Sequence, residues 1–340
     1  MGPSRILVTR TDKLGDFMLT WPALDLLRRA LPAAHITVLV GEDAAPMARA
    51  CPVVDEVLVD RGQPVSELAD VVRKGRFDAA IVLFSTWRIA LAVRRAGVPY
   101  RLAPATKLAQ VLFNNRLVQR RSQSIKPEHA YNVDLILRFL DDHGLSVPDA
   151  PVGPYLSFSP SVLAETSSRL GHAYGIPEEA LRVIVHPGSG GSASTLPADG
   201  FARLLNRLTS TRPVFVIVTA GPGEESQARA VRDRIRGHSA AVHVSSDGLI
   251  DFARVLATAD LFLSGSTGPL HIAGAIDVPT AAFYPRRHSS TALRWQTTNQ
   301  PRHRLAFSPP DTAGESEMTA IDLDAAASAI SQCFLEGRRD

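Results

Sequence analysis

The chain has 340 residues, 45% of them hydrophobic and 21% charged, with a formal net charge of +3. That length suits two domains better than one. The composition is globular rather than disordered, and so small a charge surplus does not mark a nucleic-acid binder. Two cysteines, Cys51 and Cys333, exclude a disulfide framework and a Cys-rich zinc site. No run approaches the roughly 18 apolar residues of a membrane span. The ILV run of the opening MGPSRILVTR is too short for a signal-peptide core. The expectation is a soluble cytoplasmic protein of two domains.

In chain order, RILVTR (Arg5–Arg10) reads as a buried strand, followed by a turn and a helix through Pro22 to Ala30. HITVLV (His35–Val40) and EVLVD (Glu56–Asp60) are the next strands, then a helix over Glu67–Lys74, the strand DAAIVLF (Asp78–Phe84) and the helical WRIALAVRRAG. Strands that are apolar throughout and alternate with helices predict an open parallel sheet covered on both faces. The proline-rich stretch Asp149–Pro160 reads as a boundary. The pattern then restarts: strand Arg182–Gly188, helix Pro197–Leu208, strand Pro213–Gly221, helix Glu224–Arg236, strand Ala241–Val244, helix GLIDFARVLATA, strand Leu261–Ser266, short helix PLHIAGAI and strand TAAFYP. Two doubly wound α/β domains of this kind, facing one another, would hold ligands in a cleft at the carboxyl ends of their strands.

Three constellations carry chemistry. The first, RTDKLGDFMLTWP (Arg10–Pro22), leaves the first strand and opens the first helix. Gly15 permits a tight turn, and Asp16 sits at the helix start, either as an N-cap or as a carboxylate at the ligand edge. The second is HPGSGGSASTLPADGF (His186–Phe201). Its Gly188, Gly190 and Gly191 can turn backbone amides toward an anion, although a plain flexible loop has the same composition. GSGGSA fits a dinucleotide fingerprint formally. The helix waits until Pro197, however, and the strand Pro213–Gly221 ends without the ribose-binding acid. The third, SGSTGPLHIAGA (Ser264–Ala275), places Thr267 and Gly268 at the positive end of a helix with Pro269 in its first turn, which suits a phosphate. Thr267 as a mere cap and His271 as a packed or surface histidine are the plain readings. Asp322-Leu-Asp324 resembles a metal motif but precedes a helix, so capping is the stronger reading. The pairs Arg94-Arg95 and Arg120-Arg121 are a solvated face or contacts for an anionic acceptor. A P-loop, a G-x-S-x-G elbow and H-E-x-x-H are all missing.

Across most of its length the sequence resembles glycosyltransferase family 9, the ADP-heptose:lipopolysaccharide heptosyltransferases. The likeness rests on Arg10–Pro22, the H-P-G-x-G loop at His186, the segment Ala259–Ala273 and the closing VPTAAFYP. The resemblance implies a GT-B fold: an acceptor domain over residues 1–155, a donor domain over 156–320, and a terminal helix within 321–340 packing back on the first domain. It implies an inverting, metal-independent transfer of heptose from ADP-L-glycero-D-manno-heptose to a lipopolysaccharide-core or related glycan, with no cofactor beyond that co-substrate. Asp16 matches the general base. Gly188, Ser189, Ser194, Glu224, Ser266, Thr267, Gly268 and His271 match donor-binding positions, with Glu225 adjoining Glu224. Arg88, Arg94 and Arg120 are expected at an anionic glycan or glycolipid acceptor, with peripheral contact at the cytoplasmic face of the inner membrane allowed. Two positions depart from the pattern: Ser194 where many relatives carry Lys, and Ser266 where many carry Asp. Arg286 and Arg287, or Lys13, are the candidates to replace the lost cation. A different nucleotide-sugar donor, a sugar-nucleotide epimerase or hydrolase, and a non-catalytic nucleotide-sugar-binding protein are the alternatives. A nicotinamide enzyme fits least, because neither glycine turn completes the fingerprint.

Overall fold

Each of the two apolar arrays closes into a parallel sheet. In the computed structural model the chain divides into Met1–Tyr155 and Leu156–Asp340. The structure describes residues 2–106, 108–191, 194–210, 213–237 and 239–336.

In the first unit the strands are β1 (Arg5–Arg10), β2 (His35–Gly41), β3 (Glu56–Asp60), β4 (Ala79–Val82), β5 (Tyr100–Pro104) and β6 (Asn115–Leu117), in the order β3-β2-β1-β4-β5-β6. Its helices are α1 (Leu14–Met18), α2 (Trp21–Ala30), α3 (Ala45–Ala50), α4 (Val65–Lys74), α5 (Trp87–Arg95) and α6 (Glu128–Asp142). All its strand pairs are parallel, with Ile6 opposite both Ile36 and Ala79. The central strands are apolar because both faces are covered: Leu68, Val72, Ile89 and Val93 of α4 and α5 pack on Leu7, Leu39, Ala80 and Val82. Thr86 caps α5 by accepting from the Ile89 amide.

The second unit holds β7 (Leu181–His186), β8 (Val214–Ala220), β9 (Ala240–Val244), β10 (Leu261–Gly265), β11 (Thr280–Phe283) and β12 (Arg304–Phe307), in the order β12-β11-β10-β7-β8-β9. Its helices are α7 (Pro160–Tyr174), α8 (Ala198–Thr209), α9 (Glu225–Arg232), α10 (Gly248–Ala257), α11 (Gly268–Ala275) and α12 (Leu323–Ile330). Counted from its own first strand, this order matches that of the first unit. In both sheets the winding reverses beside the first strand, between β1 and β4 and between β7 and β10. The strand ends at these reversals are the places where open α/β sheets put their ligands.

Ala326, Ala327 and Ile330 of α12, with Phe334 and Leu335 beyond it, join Leu204, Leu205 and Leu208 of α8 in the core of the second unit. The apolar face of α12 matches the stripe α8 leaves uncovered, so the segment is buried within its own unit. Residues 337–340 lie outside the described residues. Asp322 caps α12 by accepting from the amides of Asp324 and Ala325, at 3.1 and 2.9 Å, which settles the D-x-D motif as a cap.

Candidate active site

In the first unit the site is organised by Arg10, the last residue of β1, whose side chain is 3% exposed. Its Nε donates to Asp12 Oδ1 at 2.8 Å, its Nη2 to Asp16 Oδ1 at 2.5 Å, and its Nη1 to Glu128 Oε1 at 3.0 Å and Asn132 Oδ1 at 3.3 Å. The guanidinium also lies over the Phe84 ring, 5.7 Å from its centre. Burial works against the Arg10 cation, yet Asp12, Asp16 and Glu128 outweigh it and raise its pKa. Burial pushes the Asp12 carboxyl up to about 6, against the pull of Arg10 and with the help of Asp16. Arg121 makes a second ion pair with Glu128, at 2.5 Å. A buried guanidinium holding several carboxylates fixes their positions more than it stabilises the fold.

Asp16 stands in the first turn of α1, whose N-cap is Lys13. The capping reading of Asp16 therefore gives way to a carboxylate bound by Arg10 and still 15% exposed at the carboxyl edge of the sheet. Arg88 begins α5 at the same edge, but its guanidinium is held by Asp60 and by the Gln63 carbonyl. Arg94 lies in the last turn of α5, at the opposite end of that helix. Arg120 is exposed beyond β6. The three arginines are thus not brought together.

In the second unit the loops after β7 and β10 meet. Ser264 Oγ donates to the His186 carbonyl at 3.1 Å and lies 3.0 Å from Thr267 Oγ1. Thr267 directs its hydroxyl there and makes no side-chain capping bond to α11. Thr195 packs against Gly265, where an added Cβ would come within 2.8 Å of its hydroxyl. Glu224, half-buried before α9, reaches back to the glycine loop. It accepts from the Gly190 amide at 2.9 Å and the Gly221 amide at 3.2 Å, and it lies 3.3 Å from His186 Nε2. A side chain at Gly188 would overlap that carboxylate, which explains the glycine. The His186 hydrogen bond, with the two amides, holds the Glu224 carboxyl down at about 2 against partial burial. Gln227 Nε2 donates to the Pro187 carbonyl at 2.9 Å.

Gly188, Ser189, Glu224, Ser266, Thr267 and Gly268 therefore gather at one sheet edge. Ser194 is half-buried in the same loop, and His271 is buried within α11. Ser192 and Ala193 of the loop lie outside the described residues. Arg286 does not stand free to replace the missing lysine: Asp311 at 2.7 Å and the Ala313 carbonyl at 2.9 Å engage it. Arg287 and Lys13 are exposed.

The sequence reading missed Arg10, Asp12, Glu128 and Asn132 as a group, and His186 as the partner of Glu224. Arg10 and Asp12 stand inside the first motif, so a signal was at hand. Glu128 and Asn132 share one face of α6 at helical spacing, and nothing local connects them to β1. Among the described residues no group of three His, Cys, Asp or Glu is placed to hold a metal ion. No helix among them is long and apolar enough to cross a membrane.

Residues 65–303 match the family model for glycosyltransferase family 9 (heptosyltransferase). A Haemophilus influenzae protein, itself only provisionally described as a glycosyltransferase, is 39% identical over 335 residues, which cover 97% of this chain and 96% of that one. Lipopolysaccharide heptosyltransferase 3 of Escherichia coli is 23% identical, with 79% of each chain covered. Among solved structures, a family 9 glycosyl transferase of Veillonella parvula superposes with a TM-score of 0.81 at 19% identity, over 98% of both chains. The E. coli ADP-heptose lipopolysaccharide heptosyltransferase II gives 0.80 at 17%, over 98% of this chain and 100% of that one. The two units are thus the pair of Rossmann-like halves of the GT-B fold, and the chain belongs to glycosyltransferase family 9, a glycosyltransferase of heptosyltransferase type.

Proposed function

We propose that the protein transfers heptose from ADP-L-glycero-D-manno-heptose to a lipopolysaccharide-core or related anionic glycan, with inversion and without a divalent metal. The reading rests on one observation: the three motifs occupy the strand ends at the reversal points of the two sheets, a carboxylate in the first and amide-bearing loops in the second. It is supported by relatives whose structures are described as an E. coli heptosyltransferase with ADP and with ADP-2-deoxy-2-fluoro heptose. The acceptor oxygen attacks the anomeric carbon, the bond from that carbon to the diphosphate oxygen breaks, and ADP departs. Asp16 takes the hydroxyl proton. Arg10, whose Nη2 donates to Asp16 Oδ1, holds that carboxylate in place. Amides at the start of α11, beside the glycine loop that Glu224 holds, meet the charge that develops on the diphosphate. Arg88, Arg94 and Arg120 are offered to the acceptor; Arg120 is exposed beyond β6 and makes no ion pair among the described residues.

The test is a melting series with ADP, UDP and GDP, with chelator and with magnesium. ADP at about a hundred times its Kd should stabilise the protein by about 2.7 kcal/mol, with chelator present. Selection of UDP or GDP would assign another donor, and a strict need for magnesium would overturn the metal-free reading. A binding protein without turnover is the second reading, favoured by serine at 194 and 266. It predicts ADP binding without ADP release when donor and acceptor are both supplied.

A further inference from the structure

Helix α8 divides its residues between two faces. Phe201, Leu204, Leu205 and Leu208 enter the core of the second unit, while Asp199, Arg203, Asn206 and Arg207 fall on the outer face at helical spacing. Beyond α9 the chain divides at a spacing of two: Ile235 is buried in the same core, and Arg234 and Arg236 stay exposed. Asn206 ties the two segments together. Its Nδ2 donates to the Arg234 carbonyl at 2.9 Å, and its Oδ1 accepts from the Arg236 amide at 2.7 Å. Between them lies an open groove of about 560 Å³, with buried Ala202 in its lining and Asp324 of α12 at its border. Helices α8 and α9 each run from the carboxyl end of one strand to the amino end of the next. Arg207, Arg234 and Arg236 therefore stand toward the amino ends of β8 and β9, away from the glycine loop.

Four arginines and two aspartates line this groove. Arg203 donates to Asp324 at 2.8 Å, and Arg234 pairs with Asp199, both as exposed pairs of little worth. Arg207 and Arg236 are exposed and make no ion pair among the described residues, so the lining keeps a surplus of two positive charges. A cation in the last turn of a helix answers its dipole, which accounts for Arg207. It does not account for Arg234 and Arg236, because α9 already carries Arg229 and Arg232 in its last turn and these two stand beyond it.

We propose that the groove is a second binding site, apart from the donor loops, for a small phosphomonoester of the sugar-phosphate class. A phosphate dianion matches the surplus of two charges, and the planar guanidiniums of Arg207 and Arg236 can each meet two of its oxygens. Asp199 and Asp324 each engage one carboxylate oxygen in an ion pair and keep the other for a sugar hydroxyl. The same two carboxylates oppose the continuous phosphates of a nucleic acid. The volume is that of a small-ligand site.

Glucose 6-phosphate is titrated into the full chain by calorimetry at low salt, with glucose as the control. The phosphate ester should bind with a Kd of about 1 mM or tighter, and glucose should not bind. In Arg207→Ala with Arg236→Ala two charge-assisted contacts are lost. Binding should then fall at least about a hundredfold, while the melting temperature without ligand stays that of the parent. Should that variant fold poorly, Arg207→Glu alone, on the outer face of α8, should abolish the binding. Binding that survives in the double variant puts the phosphate elsewhere and overturns the proposal, as does no binding or equal binding of glucose. So does a short duplex DNA that binds through the same arginines more tightly than the sugar phosphate, which would make the groove part of a nucleic-acid surface.

Discussion

Arg10 shows how much one buried side chain organises. It ends β1, where its backbone pairs with Val40 of β2, and its planar guanidinium reaches Asp12, Asp16 and Glu128 at once. In Asp16→Asn the amide oxygen can still accept from Arg10, while the proton acceptor is gone. ADP release in the presence of acceptor should fall at least about a hundredfold, with the melting temperature nearly kept. Turnover near that of the parent would leave Asp16 as a structural partner of Arg10 only. Glu224 gives a prediction in pH. Its carboxyl is held at about 2 in the folded protein, below its ordinary 4.5, first by His186 and then by the loop amides. A lowered native pKa adds stability above the ordinary value, and that stability is lost as pH falls from 4.5 toward 2. Melting temperatures should therefore drop more steeply over this window in the parent than in Glu224→Gln. Parallel curves would show that the carboxylate is not linked to folding.

At the scale of elements, the donor half depends on two glycines that let neighbouring side chains come close. Gly188 makes room for Glu224, and Gly265 makes room for Thr195. Each contact ties one βα loop to another, so the glycine loop is shaped by its neighbours rather than by its own sequence. Ser194 adjoins Thr195 in this held segment, and Arg286, tied to Asp311, does not substitute for a cation there. Ser194→Lys should then add a charge-assisted contact to the diphosphate of roughly 1.5–3 kcal/mol, about ten- to a hundredfold in ADP affinity by titration calorimetry. An unchanged or weaker affinity would mean that the loop does not face the diphosphate.

Over the whole molecule the two units share one strand order, and that order gives the motifs their meaning. Loops that leave β1 and β7 gain a ligand-binding edge only because the next crossover runs to the other side of the same strand. Within the first sheet Asp12 and Asp16 follow β1, while Arg88, which follows β4, is held by Asp60 at the end of β3.

The sequence by itself determined the class of fold and the run of its central elements, because a strand buried on both faces must be apolar throughout and the helices between such strands must be amphipathic. It also marked the glycine turns and Asp16, since a strand-to-helix turn needs those residue types locally. The short strands β5, β6 and β12 left little trace, being few in residues and mixed with Arg, Asn and Pro. Only the tertiary structure decided that Glu128, 118 positions from Arg10, closes the site around it, that Glu224 returns to Gly190, and that α12 stays with α8. Ion pairs and packing partners so distant in the chain follow from which strands pair, and no local pattern carries that choice.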